Sequence, residues 1–421
     1  MKLIRQPRQA LAGWVREFGD PVLMNALNGK VVVTGQPELV HAIFSHDAFD
    51  FDVFAYKTIL PLLGEGSLLL LAGEEHKRER KLLMPMFHGE RMRAYGDIIQ
   101  DTALRTLERH AKQGAFQILD ASTDISLEVI VRAIFGGEES KDVQRLVSCS
   151  KGVVKSSSPL LFFSKALQFR FLGLSPWDRF ERATSRLREA FDSELSRREK
   201  TPAQREDILT MLINAEYDDG SKIELQRAYD ELSTFLFAGH ETTAIALTWA
   251  VYHLLTNPAT LQELVDELKG LDTGDPAQLA AAPYLKAVVQ ETLRMHPIVT
   301  EVLRVLKSPM QLGNFYLPAG MAVAAASALT HYDDSLFPDP ERFNPQRFID
   351  RKFSSSEYFP FGGGHRRCAG AAFASYELAI VLGTLFSSFD VRLLEKGPVA
   401  SKRRNVTMGP SRGILVSASR L

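Results

Sequence analysis

The stretch FGGGHRRCAG, residues 361–370, sets three glycines and two arginines ahead of Cys368, one of only two cysteines in the chain. Its chemistry is that of a sulfur ligand, a thiolate presented to a metal by tightly folded backbone. The plainer reading is a glycine-rich turn before a buried cysteine. A second candidate is AGHETT, residues 238–243, where an acid (Glu241) and a hydroxyl (Thr242) interrupt an apolar run. Gly239 costs a helix about 1 kcal/mol against alanine, and threonine is a poor helix former. Such a turn either kinks against a neighbour or offers an acid and a hydroxyl to a ligand. ETLR, residues 291–294, spaces Glu291 and Arg294 three apart, on one helical face. At a surface the pair is worth little. The apolar text around it, AVVQETLRMHPI, allows burial, where it needs a second arginine or backbone partners. In GEEHKRERKLL, residues 73–83, His76 and Arg80 share one face and Lys77 and Lys81 the next. A charge run is ordinarily a solvated face, but two stripes allow one to hold an internal anion and the other to meet a partner.

These groups need elements to hold them. Ser221-Lys222-Ile223-Glu224 has the pattern of a capping box and predicts a helix over 222–256, stopped by Asn257-Pro258. At 1.5 Å per residue it is roughly 50 Å long, enough to cross a domain. ETLR falls on a helix starting near Pro283, and a last helix is predicted over 371–387. GKVVVTG (29–35) reads as a strand and PELVHAIF (37–44) as the helix after it. From about 74 to 300 the text is overwhelmingly helical. Short β-like pieces follow Pro309, then proline-rich irregular chain over 333–350, and strand-like pieces return at 389–394 and 413–418. Without repeats or a composition break, residues 1–421 read as one mainly α domain with a minor β part. Lys plus Arg (50) balances Asp plus Glu (51), so no global field draws nucleic acid or an anionic membrane. Two cysteines make no disulfide framework, and no signal-peptide or spanning segment stands out; a cytoplasmic protein is expected.

In this order the motifs resemble those of the cytochrome P-450 haem-thiolate monooxygenases, from GDPVL (19–23) to PSRGI (410–414). The family loop Phe-x-x-Gly-x-Arg-x-Cys-x-Gly is matched by Phe361, Gly364, Arg366, Cys368 and Gly370. The resemblance implies the triangular helical prism of that family, with haem b between the long helix and the cysteine helix. Cys368 would be the axial iron ligand, with Phe361 shielding the sulfur. Arg366, His76, Arg80 and Arg304 would meet the propionates. Ala238, Glu241 and Thr242 would lie over the iron, the last two relaying protons. Glu291, Arg294 and a third arginine would form a buried network. Phe-x-Pro-x-Arg-Phe falls on residues 343–348, which selects Arg347 and leaves Arg342 on the surface. Cys149 is read as structural.

The family also implies an apolar substrate pocket. Phe54, Ile59 and Leu62 would come from a loop over 49–63, Thr234, Phe235 and Ala238 from the long helix, and Val299 and Thr300 from the chain beyond Pro297, with Thr407 nearer the C-terminus. Residues 157–174 would form a mobile roof or ordinary core. Glu301, where relatives often carry an apolar residue, would contact a polar group of the substrate, turn to solvent, or pair with Arg304. The implied reaction uses O2 and NAD(P)H-derived electrons, delivered by a ferredoxin or flavodoxin with its reductase. It hydroxylates or epoxidises a fatty acid, terpenoid or steroid. An acidic partner would dock on Lys77, Arg78, Lys81 and Arg367, and the chain would act as a monomer. A peroxide-driven peroxygenase is the alternative, and a haem-based sensor a further one.

Overall fold

The computed structural model describes residues 6–26, 29–54, 56–89, 91–136, 141–157, 161, 168–200, 207–404 and 406–421. Its axis is the central helix, Leu225–Thr256, buried at every residue from Thr243 to Val251. It packs most extensively on the helix Ile118–Phe135 and also on the cysteine helix, Ala371–Ser388. Leu232, Leu236, Ile245 and Trp249 join Ile130, Ile134, Leu382 and Phe386 in one large core.

The central helix begins three residues later than its capping signal predicts. Ser221 does not cap it; its hydroxyl donates to Asp219 at 2.6 Å, in a turn closed by the Glu216–Lys222 bridge. Asp219 competes for the serine from two residues away, and Glu224 caps the helix without a side-chain bond. The expected loop over 49–63 also differs. Tyr56–Leu63 is helical despite Pro61, so Ile59 and Leu62 sit on a helix.

A five-stranded sheet forms the second layer, in the order Val22–Ala26, Gly29–Thr34, Ala322–Ala326, Glu301–Leu306, Phe51–Asp52. Only the Gly29–Thr34 and Ala322–Ala326 pair is parallel. Ala322–Ala326 is buried throughout, and its period of two serves both faces. Val323 and Ala325 pack with Val40, Ile43 and Phe44, while Ala322, Ala324 and Ala326 pack with Leu11, Val31 and Val33. The small side chains let helices approach from both sides. Of the roof segment, residues 158–160 and 162–167 lie outside the described residues. Leu161 is buried in the large core, whereas Phe169, Phe171, Leu172 and Leu174 are exposed.

The cysteine helix is long and apolar enough to cross a membrane, but it is a core helix, 67% buried. Its Glu377 is 1% exposed, accepts a 2.6 Å bond from the Ser126 hydroxyl, and burial pushes its pKa up to about 8. Between an unfolded value of about 4.3 and that value the fold binds a proton the unfolded chain lacks, so rising pH costs stability. Glu377→Gln should therefore gain on the wild type from about pH 4.3 to about pH 8 and then level off. The gain is at most on the order of 1.4 kcal/mol per pH unit. Denaturant unfolding across that range checks this, and a constant gap between the two proteins refutes it.

Candidate functional site

The cysteine loop needs its three glycines for separate reasons. Gly362 and Gly364 have φ of +69° and +64°, conformations that side chains rarely adopt. A Cβ on Gly363 would stand 2.2 Å from the Phe44 ring, and one on Gly364 would stand 2.1 Å from the Phe44 carbonyl oxygen. The loop is thus pressed against the helix Pro37–Ser45. Arg304 clamps the contact, donating to Ile43 O at 2.9 Å and Gly363 O at 2.6 Å. The Cys368 N–H then closes on Phe361 O at 2.9 Å.

Cys368 is an exposed residue, yet burial pushes its thiol pKa up. A sulfur both accessible and enclosed by protein faces an internal space. The Gly370 N–H, Arg80 and Arg367 pull in the opposite direction, toward the thiolate. Arg80 thus lies beside the sulfur, whose charge supports its own.

Around this loop cations gather without adequate counter-charge. Burial first, then Arg366, His365, Arg80 and Arg304, lowers the His76 pKa to about 3. His365, edge-on to His76 at 5.9 Å, falls to about 4, while Arg304 and Arg366 fall to about 10, in each case chiefly through burial. Asp52 acts on Arg366 and Asp47 on His365, and neither restores the ordinary values. The Nε atoms of Arg304 and Arg366 are buried without a partner. Arg366 does donate through Nη2 to Leu71 O. Such a cluster is built to receive an anion.

On the central helix the mostly buried surface opens at Ala238, which is exposed, and at Glu241 and Thr242, which are partly so. The Thr242 hydroxyl donates to Ala238 O at 2.7 Å. Burial raises the Glu241 pKa, and Arg404 partly offsets this.

Glu291, fully buried, accepts from Arg294 Nε at 2.7 Å and Nη2 at 2.9 Å, from Arg347 Nε at 3.1 Å and from the Asn344 N–H at 2.9 Å. Arg294 continues to His331 O and Pro340 O, and Arg347 to the carbonyls of Pro338, Asp339 and Arg342. The network ties the helix Pro283–Met295 to the irregular chain that precedes the cysteine loop. Arg342 itself is exposed.

The cytochrome P450 family model matches residues 4–416. This chain belongs to the cytochrome P450 family. Cytochrome P450 138 of Mycobacterium tuberculosis is 34% identical over 412 residues, 96% of this chain and 90% of that protein. Cytochrome P450 135B1 of the same species is 32% identical over 425 residues, 99% of this chain and 89% of that protein. Among solved structures, a retinoic acid-bound cyanobacterial CYP120A1 superposes with a TM-score of 0.84 at 24% identity, covering 97% of this chain and 94% of that one. That likeness establishes the P450 fold.

P450s are haem monooxygenases, and the residues present fit the group. The unpartnered Arg304 and Arg366 nitrogens and the neutral His76 suit two propionates, and the enclosed Cys368 sulfur suits a soft iron ligand. His365 sits among these arginines although its position in the loop pattern carries no sequence signal.

The residues expected around a substrate are spread more widely. Ala238 and Val299 (41% exposed) are open. Thr234 and Phe235 are held in core contacts, the first bonded to Ser67 Oγ at 2.7 Å, the second edge-on to Phe87 at 4.9 Å. Phe54 packs against the sheet core and Leu62 against the helical core. Thr300 and Thr407 are buried. Glu301 pairs with Arg403 Nη2 at 3.3 Å, not with Arg304. Arg403 and Arg404 lie in a basic run, SKRR (401–404), that reads as solvated and carries no sequence signal of this contact. A separate cleft of about 690 Å³ lies between residues 52–75 and the start of the central helix. Asp52, Glu65, Glu75, Glu224, Asp230 and Arg227 line it, which suits water better than an apolar molecule.

Proposed function

We propose that this P450 uses O2, with electrons passed from NAD(P)H by a ferredoxin or flavodoxin and its reductase, to hydroxylate or epoxidise a hydrophobic small molecule. A fatty acid, a terpenoid and a steroid all fit that class. Bound haem b supplies an iron that activates O2. The observation that carries the reading is the accessible Ala238–Thr242 turn in a helix otherwise buried around it. Inserting one oxygen atom sends the other out as water, which consumes two electrons and two protons. Glu241 suits the proton supply, because burial lets it hold a proton closer to neutral pH than an exposed carboxyl does. The Thr242 hydroxyl donates to Ala238 O and keeps lone pairs free to accept; turning away from that carbonyl would let it pass a proton inward. Ala238, one turn before Thr242, and the exposed Val299 are apolar and suit a hydrophobic substrate.

Electrons would enter near the cysteine loop, whose neighbour is the basic helix Gly73–Leu83. Its surface is less positive than the sequence suggests, since Lys81 pairs with Asp218 at 2.7 Å and Arg78 with Asp219 at 2.9 Å. Lys77 and Arg367 remain for an acidic partner.

Thr242→Ala tests the relay. With haem content and substrate affinity kept, reducing equivalents should go to hydrogen peroxide instead of product, lowering product per NAD(P)H at least tenfold. Coupled turnover in that variant would remove Thr242 from the reaction. Wild-type turnover with added peroxide, and none with O2 and reductant, would replace the monooxygenase with a peroxygenase.

A further inference from the structure

The C-terminal hairpin, Ser401–Arg403 paired with Met408–Pro410, places a polar corner beside the open Val299. The Met408 N–H donates to Ile298 O at 2.7 Å, which seats the hairpin on the chain that leads to Thr300 and Glu301. Arg403 Nη2 reaches Glu301 Oε2 at 3.3 Å and the Thr300 hydroxyl at 3.5 Å. A Cβ on Gly409 would come within 3.0 Å of the Arg404 side chain and 3.2 Å of Ile245, so the hairpin also rests on the central helix. In this corner two polar atoms are buried without a partner, Glu301 Oε1 and the hydroxyl of Thr407, a residue 3% exposed. A buried polar atom left unpaired is costly, so a group that completes both bonds gains affinity.

We propose that this corner selects substrates that carry a hydroxyl group, so that the oxidised molecule is a hydrophobic alcohol. The inference rests on the monooxygenase reading and narrows its substrate class. Glu301, whose Oε2 is engaged by Arg403, presents the carboxylate oxygen Oε1 as an acceptor. Thr407 both donates and accepts. A substrate hydroxyl donates to Glu301 Oε1 and accepts from Thr407, satisfying both atoms with one group. A ketone or ether has no proton for Glu301. A carboxylate meets the Glu301 charge, and an ammonium meets Arg403 and Arg404. Only a neutral group that donates and accepts fits every member of the corner.

Calorimetry on the haem-loaded full chain, with dodecanol, dodecane, dodecanoic acid and dodecylamine and with the terpene pair geraniol and myrcene, tests this. Each alcohol should bind at least tenfold tighter than its hydrocarbon, acid or amine counterpart, equivalent to about 1.4 kcal/mol. Thr407→Val and Glu301→Gln should each erode that preference with the hydrocarbon affinity unchanged, and Thr407→Ser should restore it. Haem content and melting temperature of each variant separate loss of recognition from loss of fold. Hydrocarbons, acids or amines that bind as well as the alcohols, alcohols that do not bind, or a preference that survives both substitutions, overturn the inference. A chain that takes up no haem overturns the monooxygenase reading itself, whichever ligand it prefers.

Discussion

Cys368→Ser should abolish the red-shifted Soret band of the reduced, carbon monoxide-treated protein. That band would report a thiolate held by the haem iron, and a serine oxygen cannot replace it. The surroundings are arranged for sulfur: the Gly370 N–H, Arg80 and Arg367 all favour the ionised form against the burial that opposes it. Cys149 cannot substitute, because it lies on the separate helix Lys141–Ser156 and packs against the large core. Arg304, Arg366 and the neutral His76 are untouched by the substitution, so haem should still be retained, at reduced occupancy. Difference spectroscopy with the haem content measured in parallel checks both parts. A full red-shifted band in Cys368→Ser would mean that another group holds the iron.

Arg347→Ala should destabilise the fold by about 3–5 kcal/mol and depress haem incorporation with it. Glu291 is 0% exposed and Arg347 9% exposed, so water cannot make up the lost bond. The deletion also strips donors from the carbonyls of Pro338, Asp339 and Arg342, which shape the chain leading to the cysteine loop. Arg342→Ala is the control. Its side chain is exposed, and only its carbonyl joins the network, so the change should stay within about 0.5 kcal/mol. Chemical denaturation and haem-to-protein ratios of the two variants read this directly. Equal losses from both, or a loss from Arg342→Ala alone, would put the third arginine of the network elsewhere.

The two predictions draw on different sources. Cys368, its glycines and Glu291–Arg294 are legible in the chain because their geometry is local. Positive φ at Gly362 and Gly364 and the helical spacing of Glu291 and Arg294 depend on neighbours a few residues away. The helix Gly73–Leu83 spans its stretch of text, and Pro283–Met295 begins at its proline, for the same reason. The family pattern Phe-x-Pro-x-Arg-Phe selects Arg347 over Arg342, and its bond to Glu291, 56 positions away, is a product of the fold.

Where local signals admit two partners, the sequence could not choose. Ser221 carries the same side chain whether it caps a helix or binds Asp219, and the turn took it. Residues 49–63 lack a helical cap, yet packing makes Tyr56–Leu63 a helix, since tertiary burial outweighs weak propensity. Glu301 meets Arg403 from 102 positions away, and Lys81 meets Asp218 from 137. Neither pair leaves a trace in spacing. Composition, local motifs and their order therefore determine the family and the cysteine-loop end of the candidate site. The tertiary structure decides the ion pairs around Glu301 and Lys81, because those arise where distant segments close together and each ion's cost depends on what happens to be packed beside it.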